Sequence, residues 1–220
     1  MVERIDKVGD REFKKTEEAG KFYNVDEILE ILDKEKKFIS ESKGGVTFSG
    51  GEPLLQPEFL LEALKSCKLA GYHTAVDTSG YSQPENYKTI IPYTDLFLFD
   101  IKHLDAAKHL EYTGVSNSLI LNNFNLILDC GKNIMVRIPV IPGLNDDQEN
   151  LESLKAFLIK SKSNNLIKIN LLPYHKIGIS KYKRFNIPYR MNDILHPSSQ
   201  RMSELKEFFS ETGIKIKIGG

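Results

Sequence analysis

Gly44-Gly45-Val46-Thr47-Phe48-Ser49-Gly50-Gly51-Glu52-Pro53 sets a short β-branched and aromatic run between two glycine pairs, then closes on a carboxylate and a proline. Residues 46–49 read as a strand, and the turn after it leads into a helix that Pro53 opens. Paired glycines let backbone amides approach a ligand closely, and Glu52 beside them can accept hydrogen bonds from an amine. The same residues also make a tight strand-to-helix turn with no ligand at all. What decides the fold is that the arrangement repeats. Further β-rich runs follow at residues 73–78, 96–101, 134–140, 167–172 and 214–218. Between them apolar residues recur at helical spacing, as in Phe59, Leu60, Ala63, Leu64 and Cys67, or Leu119, Phe124, Ile127 and Leu128. Gly71 and Gly131 mark the ends of those two helices. Alternating strands and helices predict βα units on a parallel sheet, either a barrel or a doubly wound sheet.

The first 43 residues differ. They are rich in Lys and Glu, carry one amphipathic helix at about residues 25–38, and show no convincing strand over 1–21. The expected organisation is a weakly structured lead-in over 1–43 followed by an α/β domain over 44–220. Residues 174–197 have little periodicity and read as a long loop over the sheet, a place where function often sits. Residues 203–212 read as a closing helix.

Composition excludes several classes. Thirty basic and thirty acidic residues cancel, leaving no global field to draw the chain to nucleic acid or an anionic membrane. No stretch approaches the roughly 20 apolar residues of a membrane span, and Met1-Val2-Glu3-Arg4-Ile5-Asp6 carries no apolar run of signal-peptide length. A cytoplasmic location is the expectation. Cys67 and Cys130 stand too far apart for a metal-binding spacing, and both read as buried packing residues inside helices.

Polar residues gather at the C-terminal ends of the strand candidates, the edge where parallel α/β folds bind ligands. After Glu52 come Asp77-Thr78-Ser79-Gly80, whose oxygens suit a hard cation or a ribose hydroxyl, or else cap a helix. Asp100 and Lys102 share a strand face by the period-two rule, as a ligand site or a plain ion pair. Arg137 stands in an apolar strand and needs a partner, either a ligand carboxylate or Asp77 or Asp100. His175 closes the fifth run, as a donor at the rim or an unliganded loop residue. Five strand ends carrying such residues read best as one polar active-site mouth. An unrelated barrel enzyme using Lys102 or His175 as acid or base would share that mouth.

In order, Gly44 to Pro53, Asp77-Thr78-Ser79-Gly80-Tyr81, Asp100-Ile101-Lys102, Tyr112-Thr113-Gly114-Val115-Ser116-Asn117, Arg137-Ile138-Pro139 with Pro142-Gly143, and Leu171-Leu172-Pro173-Tyr174-His175 resemble one family. It is that of the radical S-adenosylmethionine (SAM) enzymes that activate pyruvate formate-lyase and other glycyl-radical enzymes. The resemblance runs from about residue 44 to 182 and implies a partial (β/α)6 TIM-like barrel. It implies that Ser49, Gly50, Gly51 and Glu52 bind the methionine end of SAM, with Thr78, Lys102, Arg137 and His175 as further contacts. It also implies that Asp77, Thr78 and Asp100 help hold a monovalent cation. The family reaction uses an electron from a [4Fe-4S] cluster, supplied by a donor such as flavodoxin or ferredoxin, to cleave SAM. The resulting 5′-deoxyadenosyl radical takes hydrogen from a glycine of the partner enzyme.

The family's Cys-x3-Cys-x2-Cys motif, which would hold the cluster, does not occur in these 220 residues. The expectation is therefore a barrel without its first βα unit, from a longer enzyme, inactive alone and with no catalytic residue of its own to assign. The alternative is a non-catalytic SAM-binding or partner-docking module derived from such an enzyme.

Overall fold

The computed structural model describes residues 2–8, 11–17, 20–185, 187–189 and 191–220. Met1, Gly9, Asp10, Glu18 and Ala19, which belong to the expected lead-in, fall outside them, as do Asn186 and Arg190. The lead-in is more regular than its sequence suggests. Val2–Val8 (β1) and Arg11–Glu17 (β2) pair antiparallel, from Val2 opposite Glu17 to Val8 opposite Arg11. Charged residues fill both strands without an apolar alternation, so there was no period-two signal to read. Val25–Glu41 (α1) starts on a capping box in which the Asn24 side chain accepts from the Glu27 amide while Glu27 accepts from the Asn24 amide.

Six parallel strands form the sheet, Val46–Phe48 (β3), Thr74–Thr78 (β4), Leu96–Asp100 (β5), Asn133–Val140 (β6), Leu166–Pro173 (β7) and Ile216–Ile218 (β8). They lie side by side in chain order. Right-handed crossovers between neighbours that never reverse direction place every connecting helix on the same face, which curls the sheet into a barrel instead of a doubly wound sandwich. The connecting helices are Pro57–Leu69 (α2), Pro84–Ile90 (α3), Ala106–Thr113 (α4), Ser118–Asp129 (α5), Gln148–Lys160 (α6), Ile179–Arg184 (α7) and Ser199–Ser210 (α8). All six expected strands are present within one or two residues of their expected limits.

Burial alternates along the strands. In β5 Phe97 and Phe99 are fully buried while Leu96, Leu98 and Asp100 are half-buried, and in β6 Ile134, Val136, Ile138 and Val140 are buried while Met135, Arg137 and Pro139 are half-buried. The fully buried set faces the helices and joins Leu64, Tyr87, Ile90, Phe124, Ile127, Leu154 and Phe209 in one core. The half-buried set faces the barrel interior. Phe99 and Phe124 meet edge to face at 5.4 Å between ring centres.

Two expectations need correction. Cys67 is buried in α2, but Cys130 caps the C-terminus of α5 and is exposed, because the helix turns back toward β6 just there. The segment after β7 is not all loop. It forms a 3-10 turn at Lys176–Gly178 and then α7, whose six residues are too few to show a periodic pattern.

Candidate active site

At the mouth of the barrel β3 ends on the glycine turn. Gly50 has φ +139°, a conformation that side-chain-bearing residues rarely adopt, and nothing lies within 4 Å of where a Cβ would stand on Gly50 or Gly51. Backbone polar groups therefore border open space on the ligand side. Glu52 is held from behind. One carboxylate oxygen accepts from Thr78 Oγ1 at 2.8 Å and, more distantly, from the Leu54 amide at 3.4 Å. The other accepts from the Ser79 amide at 2.8 Å and Ser79 Oγ at 2.6 Å. Four donors from the chain take up the carboxylate's accepting capacity. Glu52 thus offers an ammonium its charge, while its lone pairs serve to fix the turn.

Thr78 accordingly stands apart from the residues with which the sequence groups it. It follows Asp77 by one position, so it points to the opposite face of β4, and it is 2% exposed. Its hydroxyl lies 2.8 Å from Glu52 and 2.9 Å from the hydroxyl of Tyr87, a fully buried residue of α3. Burial pushes the Tyr87 phenol far above its ordinary range, so it stays protonated as a donor. Tyr87, Thr78 and Glu52 form one hydrogen-bonded line from the core to the turn. Sequence reasoning could not supply Tyr87, which reads as one more aromatic on a helix.

Asp77, Asp100, Lys102 and Arg137 do converge on the inner face. Ser49 Oγ donates to Asp77 Oδ2 at 3.0 Å. Arg137 Nη1 pairs with Asp77 Oδ1, and its Nε lies 3.6 Å from Asp100 Oδ1. Lys102 Nζ reaches Asp100 Oδ2 at 3.3 Å. Both partners open to Arg137 in the sequence are thus taken at once. Burial pushes the Asp100 carboxyl above its usual range, with Lys102 and Arg137 offsetting only part of that penalty. Asp100 Oδ1 is buried and accepts no hydrogen bond. His175 is exposed and, among the described residues, joins none of these contacts.

The strand ends are tied by asparagines whose roles the sequence did not reveal. Asn145 Nδ2 donates to the carbonyls of Lys102 at 3.0 Å and Pro139 at 2.6 Å, and its Oδ1 accepts from the Ile141 amide. Asn117 donates to the Leu104 carbonyl at 2.6 Å while Asn150 accepts from the Leu104 amide at 3.0 Å. Lys102 is held by its carbonyl, and Leu104 by both of its backbone groups.

The donor set fits SAM. Its carboxylate matches Arg137 and Lys102, its ammonium matches Glu52, and the unpartnered Asp100 oxygen has a place for a ligand donor. A [4Fe-4S] cluster does not fit. Cys67 lies in the core and Cys130 at a helix end, and no group of three His, Cys, Asp or Glu able to hold a metal occurs among the described residues.

Comparison with known proteins agrees with this chemistry. The model of the radical SAM superfamily matches residues 7–154. The trans-4-hydroxy-L-proline dehydratase activating enzyme of Clostridioides difficile is 41% identical over 203 residues, covering 92% of this chain and 67% of that protein. The pyruvate formate-lyase-activating enzyme of Clostridium pasteurianum is 40% identical over 193 residues, 88% of this chain and 80% of its own length. A crystal structure of a domain of pyruvate-formate lyase-activating enzyme from Bacteroides vulgatus superposes with a TM-score of 0.67 at 34% identity, covering 80% of this chain and 99% of that one. The chain spans 67%, 56% and 64% of the length of three of the activating enzymes it matches. By fold, site chemistry and sequence, the chain belongs to the radical SAM superfamily, among the activating enzymes of the pyruvate formate-lyase type.

Proposed function

We propose that this chain forms the SAM-binding part of an enzyme that activates a glycyl-radical partner in the cytoplasm. Bound SAM supplies the 5′-deoxyadenosyl group that takes one hydrogen atom from a glycine Cα of the partner. The electron that starts the reaction requires a cluster for which these 220 residues hold no ligand set, and an iron-sulfur or flavin protein would deliver it.

The observation that carries the reading is the inner-face ladder from Ser49 through Asp77, Arg137 and Asp100 to Lys102, set beside the open glycine turn. In this reading Arg137 and Lys102 orient the SAM carboxylate, and Gly50 and Gly51 receive its amino group while Glu52 keeps the turn in shape. Asp77, Asp100 and the backbone of Thr78 offer oxygens to a monovalent cation beside that carboxylate. His175 reaches the ligand from the rim.

A second reading has its own observation. With two cysteines, neither in a cluster motif, the chain alone is equipped to bind SAM or a partner without turnover. One experiment separates the two. The chain is reconstituted with iron and sulfide, reduced with dithionite, and assayed for 5′-deoxyadenosine while calorimetry measures SAM binding. Binding without 5′-deoxyadenosine is expected of the chain alone. Formation of 5′-deoxyadenosine would overturn the claim about the ligands, and absence of any SAM binding would overturn the site.

A further inference from the structure

The backbone ladder between β5 and β6 stops just before Lys102. Ile101 donates its amide to the Arg137 carbonyl at 3.0 Å, and in a regular parallel pair the next bond would run from the amide of residue 139 to the carbonyl of residue 101. Residue 139 is a proline, which has no amide hydrogen to give. The ladder cannot continue through that position. A side chain joins the two strand ends instead. Asn145 Nδ2 donates to the Lys102 carbonyl at 3.0 Å and to the Pro139 carbonyl at 2.6 Å. Its Oδ1 accepts from the Ile141 amide at 2.8 Å, which orients the side-chain amide. Asn145 is 5% exposed, and its own carbonyl accepts from Asn150 Nδ2 at 2.8 Å, so the latch is itself held.

Lys102 and Arg137 are the two cations assigned above to the SAM carboxylate, one just past the end of β5 and the other within β6. We propose that Asn145 is a positioning residue for that carboxylate. By holding the Lys102 carbonyl against the end of β6, it sets the span across which the Lys102 ammonium and the Arg137 guanidinium meet the ligand. An ammonium on a flexible stem is placed only as well as the backbone that carries it. Both donors of the Asn145 amide are engaged by the two carbonyls, so it acts on the ligand through Lys102. Its effect is therefore confined to the group that these cations receive. The inference rests on the SAM-binding reading.

The test removes one group from the ligand and one from the chain. Calorimetry is run with SAM and with decarboxylated SAM, which keeps the sulfonium, the amine and the nucleoside and lacks only the carboxylate. The parent chain should bind SAM the more tightly. Equal affinity for the two, or no binding of SAM, would overturn the carboxylate assignment and the inference with it. Given that preference, Asn145→Ala should weaken SAM by about tenfold, the scale of one charge-assisted hydrogen bond, and leave decarboxylated SAM within about twofold. Pro139→Ala added to Asn145→Ala supplies an amide that can donate to the Ile101 carbonyl, and should recover part of the lost SAM affinity. If Asn145→Ala does not fold, Asn145→Ser, which keeps one donor, takes its place. Unchanged SAM affinity, an equal loss for both ligands, or a double variant no better than the single would overturn the inference while leaving the site reading standing.

Discussion

The two faces of the same strands have been put to opposite uses. On the outer face Phe97, Phe99, Val136, Ile138, Ile169 and Leu171 are 0–2% exposed and satisfied by apolar neighbours. On the inner face, one residue away in each case, stand Leu98, Asp100, Arg137 and Asn170, and two of their oxygens find no partner. Folding is driven from outside the barrel, and the inside carries groups that would be poor choices for stability alone. A single shift of register would exchange the two sets.

The strongest challenge to this division is to truncate the outer face. Phe99→Ala removes a fully buried ring that packs on Phe124 and should cost about 3–5 kcal/mol in a urea titration. A loss below about 1 kcal/mol would mean that the outer face is not where stability resides.

Polarity by itself does not mark a ligand site, and the opposite end of the barrel supplies the control. There Asp95 accepts from Lys68 at 2.8 Å, from the Thr74 amide at 2.9 Å and from Thr74 Oγ1 at 3.2 Å. Burial raises the Asp95 carboxyl, but the Lys68 and Thr74 hydrogen bonds outweigh it and hold the group below its usual range. Asp95→Ala strands the buried Thr74 amide and should cost about 1–3 kcal/mol at neutral pH. A depressed folded-state pKa contributes stability above the ordinary carboxylate range, and that contribution is lost as pH falls through the folded value. The gap between Asp95→Ala and the parent should therefore narrow below about pH 4.

Asp100 should behave in the reverse sense and with the smallest effect. Its raised pKa means that the folded state binds the proton more tightly than the unfolded chain, so the carboxylate lowers stability as pH rises through the window above its ordinary value. Asp100→Asn should fall within about 1 kcal/mol of the parent, on the stabilising side at pH 7, and the gain should fade in acid. A clear destabilisation at pH 7 would make the inner-face ladder a structural ion-pair network instead of a ligand site.

Much of this was legible in the sequence. Strand positions followed from β-branched runs at regular spacing, and the inner-face set followed from polar residues at strand ends. The side chain of Thr78 faces away from that of Asp77, since adjacent residues of a strand cannot face the same way. Asn170 was passed over because an asparagine inside an apolar strand becomes informative only once its neighbour across the ladder is known. That neighbour is Arg137. Tyr87, Asn145 and Asn150 reach partners 9, 43 and 46 residues away in the sequence. No local pattern encodes such partners, whereas Asp100 and Lys102 announce themselves by standing two apart.

The two glycine pairs that flank β3 carry one last consequence. A methyl group on Gly45 would stand 2.3 Å from the carbonyl oxygen of His73, while one on Gly51 would meet nothing. The first glycine records how closely the chain lies against itself, and the second borders the open space in which we place the ligand. In a lineage that kept the barrel and abandoned its chemistry, Gly45 would persist and Gly51 would be free to drift.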